Sequence, residues 1–166
     1  MSGTSPSQRV ASIHQAVEAA RDRILALHQS YVRVRSVTGT EGAMGERVAA
    51  TFRERGLATE SWAATAEEML PYLEHVGEQP GYAGRNNVVG RRAGAGGGRS
   101  IILNAHIDTV PEGDHSLWTQ PPFAAHLVNG RVYGRGSCDM KGGLTTHLAA
   151  LDALEACGLR LQGDVT

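Results

Sequence analysis

The chain has 166 residues, the length of one domain or of a piece of a larger one. Its 16 basic and 17 acidic residues leave a net charge of -1, without the basic excess that nucleic-acid or anionic-membrane binding needs. With 41% hydrophobic and 20% charged residues the composition is globular rather than disordered, and no apolar run approaches the ~20 residues of a membrane span.

Residues 1–8 are polar, read as a flexible tail, and carry no apolar stretch of a secretory signal. Val10, Ile13, Val17, Ala20, Ile24, Leu27 and Tyr31 recur three and four apart, which predicts one amphipathic helix. Thr38 to Gly42 is a loop. Val48 and Phe52 belong to a second helix that stops at Gly56. A strand is expected near Thr59 to Ala63, then a short helix around Glu67 to His75 and a Gly/Pro loop. Asn87 to Gly90 reads as a short strand, and Ala93 to Gly98 as a glycine-rich turn.

Ser100 to Ile107, with Ile101, Ile102, Leu103, Ala105 and Ile107, reads as a strand buried on both faces. Leu127 to Tyr133 centres on Asn129-Gly130, the signature of a type I′ hairpin. A helix from about Gly143 aligns Leu144, Leu148, Leu151 and Leu154 and ends at Gly158. Leu161 to Thr166 has the character of a further strand. The alternation of strands and helices predicts an α/β fold. The start of a strand so near the last residue leads us to expect a piece of a longer protein.

Two segments can carry chemistry. In Asn104-Ala105-His106-Ile107-Asp108, residues i and i+2 of a strand share a face, so His106 and Asp108 point the same way. They can form a metal-ligating histidine with the carboxylate that orients its ring, or a plain surface pair at a strand end. In Gly136-Ser137-Cys138-Asp139-Met140-Lys141-Gly142-Gly143, Asp139 enters a helix. It can be an N-cap, or a carboxylate bridging two cations. Lys141 is the only lysine among the 16 basic residues, a hint that arginine does not serve there. Cys138 reads as a small packing residue, and with Cys157 it forms neither a zinc pattern nor a disulfide framework. That cysteine usage sets a reducing, cytoplasmic expectation. His14, His28, His75, His115 and His126 are read as solvated or structural, and His147 as a core-edge residue.

Taken together, these segments resemble the metal-binding region of the dinuclear zinc aminoacylase and exopeptidase family, which includes acetylornithine deacetylase, succinyl-diaminopimelate desuccinylase and carboxypeptidase G. Trp118, Pro122 and Phe123 between them match the family's Trp-x-x-x-Pro-Phe stretch. The resemblance runs from the first helix to Thr166 and is sharpest over Asn104 to Gly143.

It implies residues 9–166 as the N-terminal part of a catalytic domain, with helices on a mixed, mostly parallel sheet and the dimerising lid domain absent. It implies His106 as ligand to one metal, Asp139 as the bridging carboxylate, Asp108 as the catalytic residue orienting the histidine, and a cis peptide after Asp139. A complete site holds two Zn2+ ions, with Co2+ or Mn2+ as alternatives. The reaction implied is hydrolysis of the amide bond of N-acyl amino acids or small peptides, with acetylornithine deacetylase-like members the best match for the long segment before Asn87. The family's general base and remaining ligands fall beyond Thr166, so the 166 residues alone are expected to be inactive. The full-length protein is expected to be a homodimer without nucleic-acid or membrane partners. A non-catalytic binding module and a non-functional truncated gene product are the competing readings.

Overall fold

A computed structural model of the protein describes residues 5–76 and 80–166. Helix α1 spans Pro6–Ala19 and α2 spans Arg21–Val32. Two helices therefore stand where the periodicity predicts one. Ala20, buried and at φ -93° and ψ 0°, breaks them. The break lets α1 lie along the last helix while α2 runs on into the core. Of the expected tail, residues 1–4 lie outside the described residues. Ser5 already caps α1 through its side chain, and Pro6 occupies the first turn.

Helix α3 (Gly42–Glu54) is the most strongly two-faced, burying Met44, Val48 and Ala49. It packs on a hairpin-like pair of antiparallel strands, β1 (Ala58–Trp62) and β2 (Asn87–Arg91), in the register Ala58↔Arg91 to Trp62↔Asn87. Between these strands lie the short helices α4 (Ala66–Met69) and α5 (Leu73–Val76), joined by a 3₁₀ turn over Leu70–Tyr72. Of the expected Gly/Pro loop, residues 77–79 lie outside the described residues. Strands β3 (His126–Val128) and β4 (Arg131–Tyr133) form the expected hairpin. Asn129 at φ 50° and Gly130 at φ 75° supply the positive angles of a type I′ turn. Helix α6 (Gly143–Ala156) carries Leu144, Leu148 and Leu151 into the core and ends just before Gly158.

The core gathers Tyr31 from α2, Met44 and Val48 from α3, and Leu144 and Leu148 from α6. Val88, Ala105 and Ile107 pack against it from the extended chain. The architecture is thus α/β, with helices against small sheets. Among the described residues both regular ladders are antiparallel, and parallel pairing is confined to the isolated bridges Val37↔Thr109 and Ile101↔Val165.

The segment from Ser100 to Ile107 departs from the expected strand. It is extended but forms no continuous ladder, and Ile101 and Ile102 are 49% and 76% exposed. From Leu103 to Thr109 the odd-numbered residues turn inward, while Asn104 and His106 are exposed. Helices cover one face only, so a run of apolar residues that signals burial on both faces here has one face open. The same one-sidedness brings His106 to the surface.

Candidate metal centre

His106 stands on the open face of this extended segment, with its side chain 48% exposed. Its Nδ1 lies 3.1 Å from Asp108 Oδ1 and 3.2 Å from the Asp108 carbonyl oxygen. Its Nε2 lies 2.9 Å from Asp139 Oδ1. The three residues that the sequence singled out in two separate segments therefore meet around one imidazole ring. Burial alone would lower the His106 pKa. The Asp139 hydrogen bond, the Asp108 carbonyl and the charges of both aspartates outweigh it and hold the ring above its ordinary value.

Asp139 reaches this position from a π-type turn over Ser137–Gly142, entered from Gly136 and leading directly into α6. The Asp139–Met140 peptide is cis, as the family resemblance leads one to expect. The turn is anchored from beneath. Ser137 Oγ donates to the Val132 carbonyl at 2.7 Å and lies 3.0 Å from His28 Nε2. Because the Ser137 proton is committed to Val132, His28 presents Nε2–H to it. Burial lowers the His28 pKa, and the nearby Lys141 charge adds to that effect against a hydrogen bond to the Lys141 backbone.

Lys141 is fully buried, and its Nζ donates to the Val34 carbonyl at 2.6 Å. Desolvation pushes its pKa down to about 8. A slim ammonium fits this buried space with the Val34 carbonyl as its partner, where a branched guanidinium would bring five N–H donors to be satisfied. The sole lysine is therefore a structural anchor of the turn. Cys138 is exposed rather than packed, which corrects its reading as a small packing residue. The side chain at that position projects outward while its neighbours on either side, Ser137 and Asp139, make the contacts. His147 keeps its core-edge character, with Nδ1 buried and unpartnered.

The sequence reading passed over Ser36 and Thr38. Ser36 is buried and its Oγ donates to the Ile107 carbonyl at 2.7 Å. Thr38 Oγ1 donates to Asp108 Oδ2 at 2.7 Å. Both lie in a loop and neither stands in a spacing that signals a site, so only the three-dimensional contacts reveal them.

The donor set can be tested against a divalent cation. A neutral imidazole donates from one nitrogen only, yet both ring nitrogens of His106 face carboxylate oxygens. The contact to Asp139 is favourable with an imidazolium, or with a cation shared between Nε2 and the carboxylate. A histidine held at Nδ1 by one carboxylate and facing a second with Nε2 is a donor arrangement that zinc takes. The residues fit part of a site. Among the described residues no group of three or more His, Cys, Asp and Glu side chains converges as a metal cage. His106 and Asp108 also border a cleft of about 490 Å³ walled by Val48, Phe52, Trp62 and Val88.

Residues 102–166 match the family described as Peptidase family M20/M25/M40. A succinyl-diaminopimelate desuccinylase of Methylocella silvestris is 33% identical over 153 residues, which are 92% of this chain and 34% of that protein. A second, from Rhodospirillum centenum, is 32% identical over 127 residues, covering 76% of this chain and 29% of its own length. The chain thus spans about a third of these relatives. Among solved structures, the di-peptidase Dug1p from Saccharomyces cerevisiae superposes with a TM-score of 0.76 at 13% identity, over 93% of this chain and 33% of that one. Human carnosine dipeptidase 1 gives 0.69 at 17% identity, over 92% and 32%. At such identities these two likenesses speak for the fold alone.

Proposed function

On the match of its residues 102–166, this chain belongs to peptidase family M20/M25/M40, and from that premise we propose that it contributes part of the active site of a metal-dependent hydrolase. The proposed substrates are N-acyl amino acids or small peptides, cut at the amide bond. The observation that carries this reading is His106 flanked by Asp108 at Nδ1 and Asp139 at Nε2. In it His106 and Asp139 are metal ligands, and Asp108 orients the imidazole.

When a divalent cation is bound, the chemistry it supplies is polarisation of an amide carbonyl and a lowered pKa for the attacking water. The residues of this chain do the preparatory work. Asp108 keeps the proton on Nδ1 and so leaves the Nε2 lone pair outward. Asp139 brings negative charge to the same point on an exposed carboxylate, 86% accessible. The turn over Ser137–Gly142 holds it there through Ser137 and Lys141.

Zinc is the proposed metal, two ions per complete site. The named relatives favour succinylated diamino acids, whereas the length of the segment before β2 favours acetylornithine deacetylase-like substrates. Both are N-acyl amino acids, and the reading commits to that class. A homodimer and a cytoplasmic setting belong to the same proposal.

The test is zinc content and hydrolysis of N-acetyl- and N-succinyl-amino acids by the full-length protein. We expect two zinc equivalents in the wild type, loss of zinc and at least a hundredfold lower activity in D139N (~2.7 kcal/mol or more), and weaker zinc in H106A. With two ligand residues instead of the usual three or more, the 166 residues alone should hold zinc weakly and hydrolyse nothing. Full zinc occupancy in both variants would refute the assignment.

A further inference from the structure

The segment Val34 to Thr38 touches both halves of the site. Lys141 Nζ, from the turn that carries Asp139, donates to the Val34 carbonyl at 2.6 Å. Ser36 Oγ donates to the Ile107 carbonyl at 2.7 Å, and Thr109 N–H donates to the Ser36 carbonyl at 2.8 Å. Thr38 N–H then donates to the Thr109 carbonyl at 3.1 Å. One short stretch of chain therefore ties the His106–Asp108 segment to the Asp139 turn.

At its end the Thr38 hydroxyl does something separate. It donates to Asp108 Oδ2 at 2.7 Å, while Asp108 Oδ1 faces His106 Nδ1 at 3.1 Å. The two oxygens of one carboxylate are thus held from opposite sides. A carboxylate bound only at Oδ1 can rotate about its Cβ–Cγ bond and let the ring follow. Bound at both oxygens it has one orientation, and the ring it contacts inherits that orientation. The carbonyl of Thr109 lies 3.5 Å from the same hydroxyl, so the single proton goes to the nearer carboxylate.

We propose that Thr38 is a positioning residue for the metal ligand His106, acting through Asp108. The proposal rests on the metal-site reading above. Thr38 is exposed, and its backbone hydrogen bond to Thr109 does not involve the side chain. The hydroxyl can therefore be removed without touching the ladder contact. Thr38→Val keeps the shape and loses the donor, and Thr38→Ser keeps the donor.

The experiment titrates the metal-free full-length protein and both variants with Co2+ and follows the visible absorption of the bound ion, with the melting temperature measured alongside. Partners of ligand residues typically contribute 10–100-fold in metal affinity, so T38V should bind Co2+ about tenfold more weakly, with an altered spectrum and an unchanged melting temperature. T38S should restore both affinity and spectrum. Wild-type affinity in T38V, or a T38S as impaired as T38V, would overturn the proposal.

A second measurement needs no metal. With the competing acceptor removed by Asp139→Ala, the ring nitrogen-15 shifts of neutral His106 should report a proton on Nδ1 with Thr38 intact or in T38S, and a mixture of tautomers in T38V. A proton on Nε2 in the Asp139→Ala protein with Thr38 intact overturns the proposal. If the wild type takes up no Co2+, the metal-site reading fails by itself, and the tautomer result still decides the role of Thr38.

Discussion

Lys141 is fully buried with its ammonium on the Val34 carbonyl, two residues from Asp139. Its pKa of about 8, against 10.5 for an ordinary lysine, comes from desolvation. Between these values the unfolded chain holds the proton while the folded chain has released it. Stability therefore rises with pH from about 8 upward. Tyr31, whose pKa burial pushes up, works in the opposite direction once an exposed tyrosine begins to ionise near 10. We expect denaturant midpoints to climb between pH 8 and pH 10 in the wild type and this climb to vanish in Lys141→Met. A flat wild-type profile would show that the ammonium is not desolvated in solution. At this same scale, one lysine among many arginines was visible in the sequence. The carbonyl that it serves, 107 positions away, was not.

Among the elements, the last residues of the chain lie between β2 and the extended segment that carries His106. Val165 exchanges both backbone hydrogen bonds with Arg92, and its neighbours Asp164 and Thr166 bond to Ile101 and Leu103. This contact requires close approach at Gly163, where an added Cβ would run into the Arg99 carbonyl. Both colliding parties include backbone, so no side-chain rotation relieves the clash. Gly163→Ala should cost about 1–3 kcal/mol, in the range of other overpacking substitutions, and lower the melting temperature. It should also raise hydrogen exchange at the Arg92 and Val165 amides. An unchanged melting temperature would mean that the 162–166 segment is not seated there. The hairpin at Asn129-Gly130 shows the reverse case, an element legible at once because its turn angles depend on two adjacent residues alone.

For the whole molecule, the covered side is the helical one. α2, α3 and α6 enclose the core, while Ile102 and Val110 of the extended stretch stand 76% and 64% exposed. An extended segment with an open apolar face invites edge pairing and association. The 166-residue chain by itself should associate as its concentration rises, seen as increasing sedimentation mass, and Ile102→Thr should reduce that tendency. A chain that stays monomeric at all concentrations, with the variant indistinguishable, would count against this view of the open face.

What the sequence determined by itself was whatever depends on near neighbours along the chain. Periodicity placed α3 and α6, the Asn-Gly pair placed the hairpin, and i, i+2 spacing placed His106 and Asp108 on one face. The family resemblance then linked Asp139 to them across about thirty residues, and the 2.9 Å contact agrees. Tertiary structure alone decided the rest. Burial depends on what covers each face, so an apolar run could not disclose that residues 103–107 are covered on one side only and that Ile101 and Ile102 are both exposed. The break at Ala20 reflects how two helical stretches dock on one core, with no breaker residue to announce it. The roles of Ser36, Thr38 and His28 rest on hydrogen bonds between segments some 70 to 109 positions apart. Such pairings are set by how the elements pack, and residue type alone does not reveal them.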